Sequence, residues 1–204
     1  MADRLVAKEL QAHFPSGIIG RQIIVLEQTG STNDAILEVD SENSNEGLVL
    51  FAEHQTAGRG QRGNRWESPA GKGLWFSILL RPEIKINDSG RLTIWAMESV
   101  RDVIRTMFSL EPTIKLPNDV QLYGRKVAGV LVEMRAQKKA THLAAVGIGI
   151  NVNQSLEDFP PELQTAAISL ALALRRPVNR QELAIAVLRN LDRTYCERFV
   201  VQAS

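Results

Sequence analysis

Cysteine occurs once in the 204 residues, at Cys196, so no internal disulfide can form and no cysteine–histidine cluster can hold zinc. Histidine is nearly as scarce. His13, His54 and His142 lie far apart in the sequence, which argues against a histidine metal site. An excess of charge is also missing: 24 Lys and Arg stand against 23 Asp and Glu, a net +1. A general nucleic-acid binder needs a basic excess, so any positive field here must be local. No apolar run approaches the ~20 residues of a membrane span. The first ten residues, "MADRLVAKEL", carry charge but not the apolar stretch of a signal peptide. Repeats, low-complexity runs and linker-like segments are absent. Together these absences read as a soluble, cytoplasmic protein with no membrane or nucleic-acid partner.

What is there suffices for one sizeable domain over residues 1–204, since 44% of the chain is hydrophobic. Hydrophobic patterning predicts strands over 22–28, 48–53, 73–81, about 113–116, 119–123, 126–136 and 141–152. It predicts helices over 3–13, from Ser31 or Thr32 as cap, and over 87–108, 166–174 and 179–199. In the second helix Ala35, Ile36 and Val39 form the expected buried side; in the third, Leu92, Trp95, Ala96, Val103 and Met107 do. Asn179, with Glu182 three residues on, opens the last helix as a capping box. The polar run 41–47 reads as a loop, and the chain becomes helical from about 160. Strands in the middle with helices around them indicate an α+β fold with a mixed sheet.

The run "GRGQRG" at 58–63 fits G-x-G-x-x-G. A dinucleotide fingerprint needs a helix directly after that turn, so that its N-terminus meets the pyrophosphate. Here "NRWESPAGKG" follows, broken by Pro69, Gly71 and Gly73, and then a strand. The P-loop pattern fails as well. What remains is a strand–loop–strand with a loop of roughly twenty residues, a length that is usually functional or disordered. Arg59, Arg62 and Arg65 occur with no acid between Glu53 and Glu67, an anion site on glycine-freed backbone or simply a flexible basic loop.

Further along, "KLPNDV" places Asn118 and Asp119 directly after a strand-ending Pro117, and Lys126 stands at the mouth of the next strand. Gly129 leaves room for a ligand or for another backbone; "GIGIN" puts two glycines on one strand face with Asn151 at its exit. Arginines, a lysine, a carboxylate and amides suit attack of an acid on the α-phosphate of ATP, with Asp119 available to Mg²⁺. No nucleophile has a histidine base beside it, so covalent hydrolase chemistry is poorly supported.

"STND", "EHQTAGRGQRGNRWESPAGKGLWFSILLRP", "KLPNDVQLYGRKVAGVLVE" and "VGIGINVNQ" occur in that order. With them the chain resembles the catalytic domain of biotin protein ligases, from about residue 22 to 155 and more weakly beyond. The resemblance implies a mainly antiparallel, class II synthetase-like sheet. It also implies activation of biotin with ATP to biotinyl-5′-adenylate, then transfer to a lysine of a biotin carboxyl carrier domain. By position Ser31, Thr32, Asn33, Gln55, Gly58, Arg59, Gly60, Gln61, Lys126, Gly129 and Gly149 fall to biotin. Arg62, Trp66, Lys115, Asn118 and Asn151 fall to ATP or the adenylate, with Lys126, Arg59 and Asp119 as catalytic groups and Asp119 holding Mg²⁺. Gln61 and Asn64 stand where the family more often has arginine, and Leu116 where tryptophan is frequent. Neither an N-terminal helix-turn-helix nor a C-terminal β-barrel is evident, and a homodimer is expected by analogy alone. A lipoate or octanoyl ligase of the same fold and a non-catalytic biotin or nucleotide module are the alternatives.

Overall fold

In a computed structural model of the chain, residues 4–39, 46–136 and 142–200 are described. Most of the polar run 41–47 therefore lies outside the described residues. The elements in chain order are α1 (Ala7–Gln11), β1 (Ile23–Thr29), α2 (Thr32–Val39), β2 (Val49–Gln55), β3 (Gly73–Leu80) and α3 (Gly90–Phe108). There follow β4 (Thr113–Lys115), β5 (Asp119–Leu122), β6 (Arg125–Arg135), β7 (Leu143–Asn151), α4 (Leu170–Leu174) and α5 (Arg180–Phe199). The seven strands among the described residues form one sheet in the order β1-β2-β3-β7-β6-β5-β4. Only β1 and β2 run parallel; every other pair is antiparallel. The expected mixed, mainly antiparallel α+β fold is the one observed. No helix among the described residues is long and apolar enough to cross a membrane.

Alternation along the central strands decides what each face of the sheet does. Leu74, Phe76, Ile78 and Leu80 of β3, with Ala144, Val146, Ile148 and Ile150 of β7, turn to one face. There α3 and α5 cover them through Trp95, Val100, Ile104, Leu183 and Val187. The opposite face is only partly covered. Ile36 and Leu37 of α2 pack there on Leu79, Leu143 and Ala145, and the rest is left to the site.

Several local expectations change. Met107 and Val39 are exposed, because each lies one turn beyond the stretch its helix buries; Leu37 takes the inward place beside Ile36. The first helix contracts to Ala7–Gln11. The helix expected over 166–174 begins only at Leu170, capped by the Ser169 hydroxyl, which accepts from the Leu172 N–H at 3.1 Å. A turn ends at Ala166 instead, and Ala167 bridges to Lys126: the Lys126 N–H donates to Ala166 O at 2.8 Å, and its carbonyl accepts from Ile168 N–H at 3.0 Å. The Asn179 cap of α5 forms as expected, with its side-chain oxygen accepting from the Glu182 N–H at 3.1 Å.

One buried ion pair fastens α5 to the root of the glycine-rich loop. Arg180, fully buried, donates to Glu53 Oε2 at 2.8 Å and to Gly73 O at 3.1 Å, while Glu53 Oε1 accepts from Leu5 N–H at 2.9 Å. Removing one partner of such a pair leaves an uncompensated charge in the interior. Arg180→Ala is expected to cost about 3–5 kcal/mol of stability, read as a lowered urea midpoint with an unchanged slope.

Candidate active site

The floor of the site is a patch of backbone. In the sheet, Gly129 of β6 pairs with Gly149 of β7, and Leu131 pairs with Gly147. On the far side of β7, Trp75 and Ser77 of β3 pair with the same two glycines. With no side chain at three of these positions, the sheet is flat enough for other groups to lie on it. Two do. The Trp66 indole covers Gly129 and Gly149, where an added methyl group would sit 2.9 and 2.5 Å from its ring atoms, and it meets Trp75 edge-on. The Asn33 amide lies over Gly147, where a methyl group would sit 2.4 Å from Oδ1.

Trp66 arrives from the "GRGQRG" loop, which is not a wide excursion. Residues 58–60 return against 64–66 as a small hairpin: Trp66 N–H donates to Gly58 O at 2.9 Å and Gly60 N–H to Asn64 O at 2.7 Å. A methyl group on Gly58 would sit 2.5 Å from the Trp66 carbonyl, so only glycine permits this closure. Arg62 and Gly63, both with positive φ, make the tip. The loop is therefore anchored by an aromatic ring, which its glycine content does not reveal.

Around the floor runs a continuous chain of polar contacts. Ser68 Oγ accepts from Gln55 Nε2 at 2.8 Å, and Gln55 Oε1 accepts from Thr32 N–H at 2.8 Å and from the Thr32 hydroxyl at 3.1 Å. The Ser77 hydroxyl lies 2.8 Å from Thr32 Oγ1 and donates to Asn33 Oδ1 at 2.6 Å. Asn33 Nδ2 donates to Glu133 Oε2 at 2.7 Å, and Arg59 closes the chain onto Glu133 at 2.9 Å and Asp34 at 2.7 Å. Thr32, Asn33, Gln55 and Ser77 are buried, so these contacts satisfy groups that water does not reach.

Lys126 reaches the same floor because of an irregularity in β6. Val120 pairs with Ala128 but Gln121 pairs with Lys126, so β6 carries one extra residue there, a β-bulge. Val127 and Ala128 both enter the core, and Lys126, which strict alternation would put with Ala128, shares the site face with Gly129. Its Nζ sits 2.6 Å from Asp119 Oδ1 and 4.9 Å from the Trp66 ring centre, a cation–π contact.

Two cavities meet at Lys126 and Trp66. The first, over Gly129, Gly147 and Gly149 and under Arg59 and Gly60, encloses about 40 Å³. That is far below the ~300–1,000 Å³ of an open ligand pocket, because the Trp66 ring fills much of the space. The second, of about 360 Å³, lies between Arg65, Trp66 and Glu67 of the loop and the segment Phe159–Ala167. That segment is strapped to the start of β3 by Lys72 and Asp158, 2.9 Å apart. Partial desolvation raises the Asp158 carboxyl, but the Ser155 N–H and hydroxyl and the Lys72 ammonium outweigh it, so its pKa lies below the ordinary carboxylate value. The strap is complete at neutral pH and loosens only as pH falls through that lowered value.

The structure thus gathers Ser31, Thr32, Asn33, Gln55, Arg59, Gly60, Trp66, Asn118, Lys126, Gly129 and Gly149 around the first cavity. Gly58 shapes the loop behind it, and Asp119 joins through Lys126. Asn151 lines the second cavity, yet its amide is committed to the fold, donating to Lys126 O and Ile168 O at 3.3 Å and accepting from Gln154 at 2.9 Å. Gln61, Arg62 and Lys115 line neither cavity; the first two occupy the loop tip and Lys115 the exposed edge strand β4. Ser77, Ser68 and Glu133 belong to the site without having been singled out, and Gly147 joins it as the first glycine of "GIGIN". Ser77 left a signal: a lone polar residue in the otherwise apolar strand "GLWFSILL". Among the described residues no group of three or more His, Cys, Asp and Glu side chains is placed to hold a metal by itself.

Comparison with known proteins gives a consistent picture. The model of the Biotin/lipoate A/B protein ligase family matches residues 25–151. The chain is 33% identical over 192 residues to the bifunctional ligase/repressor BirA of Bacillus spizizenii, covering 94% of this chain and 59% of that protein. It is 35% identical over 177 residues to the biotin–[acetyl-CoA-carboxylase] ligase of Mycobacterium tuberculosis, covering 84% and 63% respectively. Among solved structures, the biotin protein ligase of Aquifex aeolicus in complex with biotin and ATP superposes with a TM-score of 0.74 at 32% identity. That match covers 88% of this chain and 74% of the other. The chain spans about three fifths of the length of the two curated relatives.

Proposed function

The chain belongs to the biotin/lipoate A/B protein ligase family, and from that premise we propose that it joins biotin to ATP and passes the biotinyl group to a lysine of a biotin carboxyl carrier protein. The observation that carries this reading is the meeting of the two cavities at Lys126 and Trp66. The first cavity takes biotin. Its floor offers acceptors at Asn33 Oδ1 and Thr32 Oγ1 and a donor at Ser31, which suits a ureido ring with two N–H groups and one carbonyl. The second takes the nucleotide, with the Trp66 face for the base and Arg65 for phosphate charge.

In the first half-reaction a biotin carboxylate oxygen attacks the α-phosphorus of ATP and pyrophosphate leaves. Lys126 stands where carboxylate and phosphate must meet, and its ammonium offsets the charge that gathers on the phosphoryl oxygens. In the second, the carrier lysine amine attacks the acyl carbon, AMP leaves, and the amine gives up a proton. Asp119 offers the one protein carboxylate that would hold Mg²⁺ beside the phosphates. When bound it neutralises phosphate charge.

Biotin-dependent exchange of pyrophosphate into ATP tests the reading, with lipoate and octanoate as parallel substrates. Exchange with biotin alone is expected. Exchange with lipoate but not biotin would assign the chain to the other branch of the family, and no exchange with any acid would leave a binding module. Because Trp66 fills the first cavity and Arg59 is tied to Asp34 and Glu133, biotin must move the loop before it seats. Saturating biotin is expected to change the rate at which a protease cuts within 55–71, by at least several-fold. An unchanged rate would count against a moving lid.

A further inference from the structure

Glu133 is the one carboxylate that touches both the floor and the lid of the site among the described residues, and no step above uses it. It stands on β6 opposite Ala145, its side chain 37% exposed at the rim of the first cavity. Its Oε2 accepts from Asn33 Nδ2 at 2.7 Å, and Arg59 Nη2 lies 2.9 Å from Oε2 and 3.2 Å from Oε1.

We propose that Glu133 is the positioning residue of the site: it fixes the Asn33 amide for the ligand's ureido group and holds the Arg59 lid to the floor. The proposal rests on the biotin reading given above. A primary amide has two faces of opposite hydrogen-bonding sense, and its neighbours decide which one looks inward. Ser77 alone does not decide it, because a hydroxyl accepts as readily as it donates. Leu131 O is 3.4 Å away, too far to dictate the choice. An ionised carboxylate at 2.7 Å only accepts, so Nδ2 must face Glu133 and Oδ1 must face the cavity over Gly147. That leaves Asn33 Oδ1 as an acceptor for a ureido N–H. The same carboxylate shares one guanidinium nitrogen with Asp34, so Arg59 is held by two acids and released only when a ligand anion competes for it.

The two functions separate by substitution. Glu133→Gln keeps an acceptor oxygen for Asn33 but loses the charge that retains Arg59. Glu133→Ala loses both. Calorimetry with biotin, pyrophosphate exchange and limited proteolysis of the loop are compared for the wild type and both variants, with thermal unfolding as the control for folding. Glu133→Ala is expected to weaken biotin binding about tenfold or more, with the loss in kcat/KM carried mainly by the KM for biotin. Glu133→Gln is expected to bind biotin within about threefold of wild type, yet to be cut faster in the ligand-free loop. In an Asn33→Ala background, Glu133→Ala should weaken biotin binding little further, since the amide it orients is gone. Glu133→Ala with wild-type biotin affinity and kinetics overturns the proposal, as does full additivity with Asn33→Ala. A loss confined to kcat, or tracking a fall in Tm in both variants, overturns it too. A wild type that binds no biotin instead removes the functional reading beneath it, and the two failures are told apart by that control.

Discussion

Replacing Lys126 with alanine is expected to lower biotin-dependent ATP–pyrophosphate exchange by about 10²–10³-fold with the fold intact. The side chain is 29% exposed and packs over Gly129 and Trp66, not in the core, so its loss opens no large interior cavity. Its loss also changes its partner. Asp119 Oδ1, 2.6 Å from Nζ, would be left without its counter-charge beside an incoming triphosphate, turning a neutral pair into a repulsive group. The comparison of Lys126→Ala with Lys126→Ala/Asp119→Asn measures that second part. In Mg²⁺-free buffer, where no cation offsets the Asp119 carboxylate, the double variant is expected to bind ATP more tightly than the single one, although neither recovers exchange. A Lys126→Ala protein that exchanges at the wild-type rate would show that the charge at the junction of the two cavities is not the one that matters.

The second large effect is expected at Trp66. The ring is the loop's anchor on the floor and the cation–π partner of Lys126, and in the proposed reading it is the face offered to the nucleotide base. Trp66→Ala removes all three. Base–aromatic stacking is worth about 1–3 kcal/mol, so ATP affinity and adenylate retention should fall roughly 10–100-fold. At the same time the first cavity opens, because the indole no longer fills it. The variant should therefore take up biotin faster while losing adenylate sooner, two rates that stopped-flow binding and adenylate release measure separately. Trp66→Phe, which keeps a ring but is shorter, should fall between. Equal loss of biotin and nucleotide binding would point to a collapsed loop and away from a lid with two faces.

Most of the site was legible in the sequence because its parts are chemically unusual for where they stand. Arginines without acids between Glu53 and Glu67, polar groups after Pro117 and glycines in the strand "GIGIN" each break the local pattern of a plain structural element. Gln61, Arg62 and Lys115 were legible as charge or amide but not as place: the hairpin carries the first two to its tip, and β4 is an edge strand. Glu133 and Ser68 were hidden because a carboxylate near a strand end and a serine in a loop are ordinary until their partners arrive. Those partners, Asn33 and Gln55, lie 100 and 13 residues away.

By itself the sequence determined the two glycines that share one face of β7, the residue types available for phosphate and amide chemistry, and the cap that starts α5. Such features depend on neighbours in the chain, and composition and spacing record them directly. The face on which Lys126 emerges was decided only by the tertiary structure, since strict period-2 alternation would have sent it toward the core side with Ala128. The bulge opposite Val120 and Gln121 turns it toward Gly129, and the bridge to Ala167 holds its backbone there. The "GRGQRG" loop follows the same logic: its glycines permit a tight return, but whether the ring of Trp66 comes to rest on Gly129 and Gly149 depends on β6 and β7 pairing in this register. Contacts between residues far apart in the chain leave no periodic trace, and they are what turned a list of polar residues into two cavities sharing one lysine.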